Sequence, residues 1–197
     1  MRRARLFEHS PATVITGSLV RTPEGEVRCG RVVVAVDGAL ERVLPELTGR
    51  VWTVRAQMLA TGPAPEVDIP RPVYARWGWD YWQQLPDKRV ALGGFRDLGG
   101  DAERSVDATP SPAVQRHLEE FLRAGLGVRA PITHRWAGCI AFTKDRVPIV
   151  EEVRERVWAT GAYSGTGNVL GAVCARAAVQ RALDAPSVLD GVLPAAV

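Results

Sequence analysis

The sequence predicts an α+β fold in which an antiparallel sheet is the largest part. Residues 51–60 alternate between two faces, as a half-buried strand does, and strand-like segments follow at 73–77, 80–85 and 89–95. A β-branched run at residues 31–36 shows no alternation, which is typical of a strand covered on both faces in a parallel sheet. A third pattern, near the C-terminus, is a strand, a glycine-rich turn and a helix.

The N-terminal part of the chain predicts a small β-meander. Residues 12–21 are strand-like, residues 22–25 form a Thr-Pro-Glu-Gly turn, and residues 26–30 return as a second strand. After the β-branched run, residues 39–47 predict a short helix that Pro45 interrupts, because proline lacks the N–H that a helix interior needs.

One longer helix is predicted in the middle of the chain. Ser111 followed by Pro112 is typical of a helix start, with an N-cap residue before proline at the first helical position. Gly125 and Gly127 end the pattern, and a long strand is predicted at residues 133–142. The apolar side chains that share one face of this helix are Val114, Leu118, Phe121 and Leu122.

The composition narrows the class of function. Among 197 residues, 46% are hydrophobic and 24% charged, which is ordinary for a globular protein, and no apolar run is long enough for a membrane span. The net charge of +3 comes from scattered arginines without a basic block, which argues against a nucleic-acid partner. The three cysteines have no metal-ligand or pairing pattern, so we expect no metal site and a reducing, cytoplasmic location.

The glycine-rich turn invites comparison with a dinucleotide-binding fingerprint. The spacing from Gly165 through Gly167 to Gly171 has one residue too many before the third glycine. Such a site also needs a second strand with an acidic residue about 20 residues further on, and Asp184 and Asp190 lie in a Pro- and Gly-broken tail. An NAD-binding enzyme therefore remains only a weakened alternative.

Three stretches together carry a family resemblance. They are residues 52–61, residues 133–148 and residues 161–167, and the segment at 80–97 also fits. In this order and spacing they resemble the C-terminal half of the FAD-dependent D-amino-acid-oxidase-like (DAO) family. Within that family they are most similar to the small-amine branch typified by gamma-glutamylputrescine oxidoreductase.

The resemblance implies a division of the chain. Residues 1–50 would be a remnant of the FAD-binding domain, and residues 51–150 the antiparallel substrate-binding sheet with its one helix. Residues 151–197 would be the returning C-terminal part of the FAD-binding α/β domain. The family's N-terminal Rossmann half is absent, so we expect a truncated member whose β-branched run fits into a missing sheet.

The resemblance also implies an activity and its cofactor. We expect an FAD flavoprotein, an oxidoreductase that oxidises a C–N bond of a small amine or amino acid by hydride transfer to the flavin. The alternative is a non-catalytic or split subunit that needs a partner chain supplying the ADP-binding half. The expected partners are a small-molecule substrate and such a chain, with no nucleic acid and no membrane.

The cofactor residues follow from the same resemblance. In the glycine turn, N–H groups would point at the flavin ring and a helix N-terminus would favour negative charge on it. The family often has histidine at the position of Thr166, and glycine at the position of Glu151. The expected cofactor-binding residues are Gly161, Tyr163, Ser164, Gly165, Thr166, Gly167 and Asn168 in the turn, and Thr143, Asp145 and Pro148 in a neighbouring loop.

Substrate contacts are expected from aromatic and polar residues on the middle strands, because aromatic walls suit an amine. The candidates are Arg55, Gln57, Tyr74, Tyr81, His134 and Trp136; no catalytic residue is identified, and core packing is the alternative for each aromatic residue. Amino-acid-oxidising members tend to carry an arginine just after the Trp-x-Gly of this strand. Here Cys139 follows, which favours amines, although Arg55 or Arg135 could replace that arginine.

Overall fold

The computed structural model describes residues 4–192, and it divides the chain into two compact units. Unit 1 comprises Met1–Val51 and Phe142–Val197, and unit 2 comprises Trp52–Ala141. The mixture of antiparallel sheets and helices confirms the predicted α+β class.

Unit 1 begins with a three-stranded antiparallel sheet of β1 (Val14–Ile15), β2 (Leu19–Thr22) and β3 (Gly25–Arg28). The single strand predicted at residues 12–21 is therefore two strands. The break falls at Gly17, where a Cβ would lie 2.4 Å from the carbonyl oxygen of Glu155. Glycine is needed at this close backbone approach, and the chain bends there instead of continuing as a strand.

A second sheet of unit 1 combines β4 (Val32–Val34), β10 (Ile149–Arg154) and β11 (Val157–Gly161) in the order β10-β11-β4. Strand β11 runs antiparallel to β10 and parallel to β4. The β-branched run thus lies in a parallel pair, as its lack of alternation predicts.

A short helical segment follows β4. It consists of α1 (Leu40–Val43) and a 3₁₀ turn (Pro45–Leu47). The break at Pro45 is the predicted one. The side chains of Leu40, Leu44 and Leu47 are completely buried, so the segment contributes core to unit 1.

Helix α3 (Gly167–Ala182) follows β11 in unit 1. Its inner face packs on the second sheet through Cys174, Ala177 and Ala178, which form a buried cluster with Val150. Small residues at these positions allow the helix to approach the strands closely. No helix within residues 4–192 is long and apolar enough to cross a membrane.

Unit 2 is organised around a five-stranded antiparallel sheet in the order β6-β7-β8-β5-β9. The strands are β5 (Val51–Pro63), β6 (Val73–Ala75), β7 (Asp80–Gln84), β8 (Arg89–Gly94) and β9 (Ile132–Thr143).

Helix α2 (Pro112–Glu120) covers unit 2's core and continues as a π-helical turn (Phe121–Gly125). Its start at Ser111 and Pro112 is the predicted one. The core contains the three predicted helix residues Val114, Leu118 and Leu122, with Phe121 partly buried beside them. The strand residues in the same cluster are Leu59, Val90 and Leu92.

Candidate functional site

The turn between β11 and α3 has an unusual backbone. Ala162 and Ser164 have φ values of 55° and 52°, and Gly165 has 90°. Positive φ is uncommon for residues other than glycine, and it persists only where surrounding contacts impose it. This strain marks the turn as a candidate site.

Hydrogen bonds on two sides hold the turn in place. The Tyr163 N–H donates to Oδ1 of Asp37 at 3.2 Å, and the Tyr163 hydroxyl lies 3.1 Å from Oγ1 of Thr160. The N–H and Oγ1 of Thr166 both donate to the Tyr163 carbonyl, at 2.9 and 2.6 Å. Burial raises the pKa of the Tyr163 phenol, so it is neutral at physiological pH.

The N-terminus of α3 is open. The helix has no side-chain cap at Thr166, so the N–H groups of Gly167 and Asn168 begin a helix without a side-chain acceptor. Nothing lies within 4 Å of the point that a Cβ on Gly165 would occupy, and Gly161 ends β11 beside Asp37. An uncapped, positive helix end thus lies next to the open space at Gly165, which suits an electron-rich group.

The neighbouring loop is bonded to this turn. The Thr143 N–H donates to the hydroxyl of Ser164 at 3.4 Å, and Oγ1 of the buried Thr143 donates to the Val147 carbonyl at 2.9 Å. Oδ1 of Asp145 accepts the Val147 N–H at 3.0 Å, which lowers the pKa of that carboxyl. Pro148 then leads into β10. The structure thus places the predicted cofactor residues of both segments together in unit 1.

Glu151 takes the position at which the resemblance implies glycine, and its side chain is held in an ion pair. Its two carboxylate oxygens accept hydrogen bonds from Arg50 Nη1 and Nη2 at 2.6 and 2.9 Å. This contact holds the carboxylate in a two-point ion pair within unit 1 and raises the pKa of Arg50.

The predicted substrate residues belong to unit 2, and two of them lie in a buried network. Arg55 donates from Nε and Nη2 to the Glu103 carboxylate, both at 3.0 Å. It also donates to the carbonyls of Thr109 and Ala102. Gln57 donates to Glu103 at 2.8 Å. The Arg55 and Gln57 side chains are both buried.

Glu103 is the centre of this network, and it is not among the residues predicted from the sequence. It is 1% exposed, and burial alone would raise its pKa. Hydrogen bonds from Arg55, Gln57 and Ser111 outweigh burial, so the pKa of the carboxyl is lowered and Glu103 stays ionised. Burial and the pair with Glu103 favour a structural role for Arg55.

Two of the predicted aromatic residues face each other across a strand pair. Tyr74 on β6 and Tyr81 on β7 are register partners, and their rings are stacked with centroids 6.5 Å apart. Burial raises the pKa of Tyr81, whereas the Tyr74 side chain is largely exposed. They offer an accessible aromatic surface.

His134 and Trp136 lie on the exposed part of β9. The Nδ1 atom of His134 is 2.9 Å from the Thr133 hydroxyl. Between them, Arg135 donates to Gln115 Oε1 at 2.9 Å and is paired with Glu119. Arg135, like Arg55, is therefore engaged by a carboxylate of its own unit.

One highly exposed tryptophan was not among the predicted site residues. Trp77 is 95% exposed and sits in a turn with positive φ at Arg76, Trp77 and Gly78. Arg76 is fixed by ion pairs to Asp80 and Asp97 on either side of it. The only local signal for this turn in the sequence is the glycine.

Comparison with known proteins decides the family. The chain matches the FAD dependent oxidoreductase (DAO) family over residues 1–181. It belongs to that family. The predicted resemblance is thereby confirmed, and so is FAD as the family's cofactor. The open, uncapped start of α3 and the free space beside Gly165 fit such a group.

Two curated proteins are similar to this DAO-family chain. The probable oxidoreductase OrdL of Rhizobium meliloti (strain 1021) is 26% identical over 197 residues, covering 95% of this chain and 44% of OrdL. Gamma-glutamylputrescine oxidoreductase of Escherichia coli (strain K12) is 29% identical over 175 residues, covering 83% of this chain and 39% of the relative. The chain thus spans less than half the length of these curated relatives.

Solved structures show the same fold. The crystal structure of glycine oxidase from Geobacillus kaustophilus superposes with a TM-score of 0.72 at 18% identity, over 93% of this chain and 50% of that one. At this low identity, the structural similarity shows only that the two proteins share a fold.

Proposed function

We propose that this chain supplies the flavin-facing turn and the substrate-facing sheet of an FAD-dependent enzyme that oxidises a C–N bond of a small amine or amino acid. The observation that carries the proposal is the strained turn of residues 162–166, which leads into the uncapped start of α3 and has open space beside Gly165. Support for an amine comes from the relative named gamma-glutamylputrescine oxidoreductase.

The chain's own residues have separate tasks in this proposal. A bound flavin would supply the electron acceptor for the oxidation. The N–H groups of Gly167 and Asn168 would stabilise negative charge at its edge, since a helix N-terminus favours anions. Gly165 would leave room for close approach, and the hydrogen bond between Thr143 and Ser164 would hold the neighbouring loop against the turn.

The domain assignment is part of the same proposal. Residues 1–50 and 151–197 would belong to the FAD-binding domain, and residues 51–150 would bind the substrate. The parallel β4–β11 pair supports the former and the five-stranded antiparallel sheet the latter. The three cysteines are all free, which supports a reducing, cytoplasmic location.

Four predicted substrate residues are accessible enough to contact an amine. Tyr74, Tyr81, His134 and Trp136 each retain exposed or half-exposed side chains. Aromatic faces bind amines by apolar packing and cation–π attraction. Arg55 and Gln57 would bind substrate only by giving up hydrogen bonds to Glu103.

A titration with FAD tests the role of the turn. Gly165→Ala places a methyl group where the flavin would approach, and Gly49→Ala is its matched control. Both glycines have positive φ, 90° and 81°, and open space around the added Cβ. Both variants therefore carry similar backbone strain, about 1–2 kcal/mol. We expect Gly165→Ala to weaken FAD binding roughly tenfold, the equivalent of about 1.4 kcal/mol, and Gly49→Ala to leave it unchanged.

The readout is the flavin absorption spectrum of the purified chain after incubation with FAD and gel filtration. Shifted flavin bands in the protein fraction, lost in Gly165→Ala alone, support the turn as the flavin contact. Equal affinities of the two variants would contradict it, whereas a colourless wild-type protein would favour the alternative of a split or non-catalytic subunit.

A second candidate function is the alternative that the family resemblance leaves open. In it, the chain is a split or non-catalytic subunit, and a partner chain supplies the ADP-binding half. The chain covers 44% and 39% of the two relatives, which leaves more than half of each outside the match. Reduction of flavin by an amine in the two-chain complex, under anaerobic conditions, would distinguish a split enzyme from a non-catalytic subunit.

A further inference from the structure

One row of residues crosses four strands of the unit 2 sheet on a single face. The row consists of register partners on β5, β8, β7 and β6, namely Met58, Gly93, Tyr81 and Tyr74. Directly opposite residues of antiparallel strands share a face. The neighbouring row belongs to the hydrophobic core that α2 covers, and it consists of Leu59, Leu92 and Trp82. Because side chains alternate along a strand, the first row lies on the face away from α2.

The glycine of this row is explained by space and not by backbone conformation. The φ of Gly93 lies outside the left-handed region, and the residue is buried within β8. Glycine in a strand interior is destabilising relative to alanine, and it often marks a close approach. A Cβ on Gly93 would overlap Sδ of Met58 and Cε2 of Tyr81. Gly93 therefore leaves a slot above β8 that these two side chains fill.

The two side chains in the slot differ in freedom. The Tyr81 ring is stacked on Tyr74, with centroids 6.5 Å apart, and burial raises the pKa of its phenol, so it is neutral at physiological pH. Met58 is half-buried and unbranched, with three rotatable bonds. Met58 can therefore rotate towards solvent while the stacked tyrosines stay in place, and its departure opens the slot.

We propose that Gly93 is a specificity-determining residue, and that the slot above it takes the unbranched alkyl chain of an amine in place of the Met58 side chain. The inference rests on the proposed function, whose substrate it narrows to straight-chain alkylamines. Gly93 and Met58 are not among the predicted substrate residues, whereas Tyr81 and Tyr74 are.

The shape of the Met58 side chain indicates what the slot accepts. It is an unbranched chain of about four heavy atoms that lies beside an aromatic ring. A branched chain would need the space that Tyr81 occupies. The ammonium group would remain at the open end, because burying an unpaired charge is unfavourable, and the exposed ring of Tyr74 offers it a cation–π contact there.

Methionine methyl signals in NMR give a direct test, because the sequence contains only two methionines. In a chain labelled with ¹³C at the methionine methyl groups, Met58→Ala identifies the signal from the slot. We expect n-butylamine to move this signal saturably, as the methyl group leaves the tyrosine ring. The branched isomer tert-butylamine carries the same charge and should leave the signal where it is.

Two substitutions change the slot in opposite directions. Gly93→Ala fills it and should weaken n-butylamine binding roughly tenfold or more. Gly25→Ala on β3 is the matched control, since Gly25 is also a strand glycine outside the left-handed region but has open space around an added Cβ, and it should change nothing. Met58→Ala should strengthen binding about threefold or more, measured by saturation transfer to the amine, because no side chain has to be displaced.

An unmoved Met58 signal or equal responses to the two amines would overturn the proposal. So would equal affinities of the two glycine variants, or weaker binding by Met58→Ala. If Gly93→Ala does not fold, the direction of the Met58→Ala effect decides the question alone.

These titrations contain no FAD, which separates the slot from the role of the glycine turn. A chain that binds n-butylamine but no FAD would favour the second candidate function and leave the slot standing. FAD binding that is weakened in Gly165→Ala, without any binding of n-butylamine, would support the turn and refute the slot.

Discussion

Replacing Glu103 by glutamine should destabilise unit 2 by about 3 kcal/mol, at the lower end of the range for breaking a buried ion pair. The substitution keeps the shape of the side chain but removes the charge that Arg55 faces at 3.0 Å from two nitrogens. The lower end applies because Arg55 keeps its hydrogen bonds to the carbonyls of Ala102 and Thr109. Total stabilities of domains are about 5–15 kcal/mol, so the loss should be large.

Urea unfolding followed by circular dichroism measures this loss as a shift in midpoint at constant slope. The matched control is Asp87→Asn, which removes a carboxylate from the exposed pair with Arg89. It should shift the midpoint far less than Glu103→Gln does, since exposed pairs contribute little. The double variant Arg55→Met with Glu103→Leu should lose less than the two single variants together, because no charge is left buried.

A loss of less than about 1 kcal/mol in the free energy of unfolding for Glu103→Gln would refute a buried ion pair, because exposed pairs contribute that much. Strict additivity in the double variant would refute it as well. Either result would argue against a structural role for Arg55 and favour its predicted role in substrate binding. If the reasoning holds, Arg55→Met should lower stability, and its effect on amine affinity should follow from unfolding alone.

Three further outcomes follow from the described contacts. Gly17→Ala should destabilise unit 1 by about 1–3 kcal/mol in urea, because its Cβ would meet a backbone carbonyl, whereas Gly30→Ala has open space and should be nearly neutral. Folding lowers the pKa of Glu103, so its ionised carboxylate stabilises the folded state above the unfolded pKa of about 4.3, and this stabilisation is lost as the pH falls through the folded pKa. The free energy of unfolding should therefore fall less steeply with acid in Glu103→Gln than in the wild type. Parallel curves for the two proteins would contradict this. Tyr163→Phe leaves the buried Thr160 hydroxyl without its partner and should cost about 1–3 kcal/mol, measured by thermal unfolding; no change would show that this bond contributes nothing.

The alternating strand and the main helix could be predicted because their signals are local. A two-residue period marks the strand at 51–60, and Ser111 followed by Pro112 marks the helix start; each signal involves only residues close together in sequence. Which face of β5 is buried could not be predicted in the same way. The face of β5 that carries Arg55 is buried because Arg55 pairs with Glu103, 48 positions away. No local sequence pattern predicts that pair.

The candidate site shows the same division. The strand, the glycine turn and the helix could be predicted, because glycines and an apolar strand are visible in the sequence. The left-handed backbone at Ala162 and Ser164 could not, since neither residue type favours it. Asp37 and Thr143 impose that conformation from distant parts of the chain.

The parallel pairing of β4 with β11 has a consequence for synthesis. Unit 2 is one continuous segment, while unit 1 is made from two segments that flank it. Contacts between residues far apart in sequence form slowly, because a long loop must close first. During translation, β4 therefore leaves the ribosome without its partner strand. All of unit 2 is made before β11 emerges to complete the sheet, and the β-branched residues of β4 stay exposed to aggregation and to chaperones for that interval.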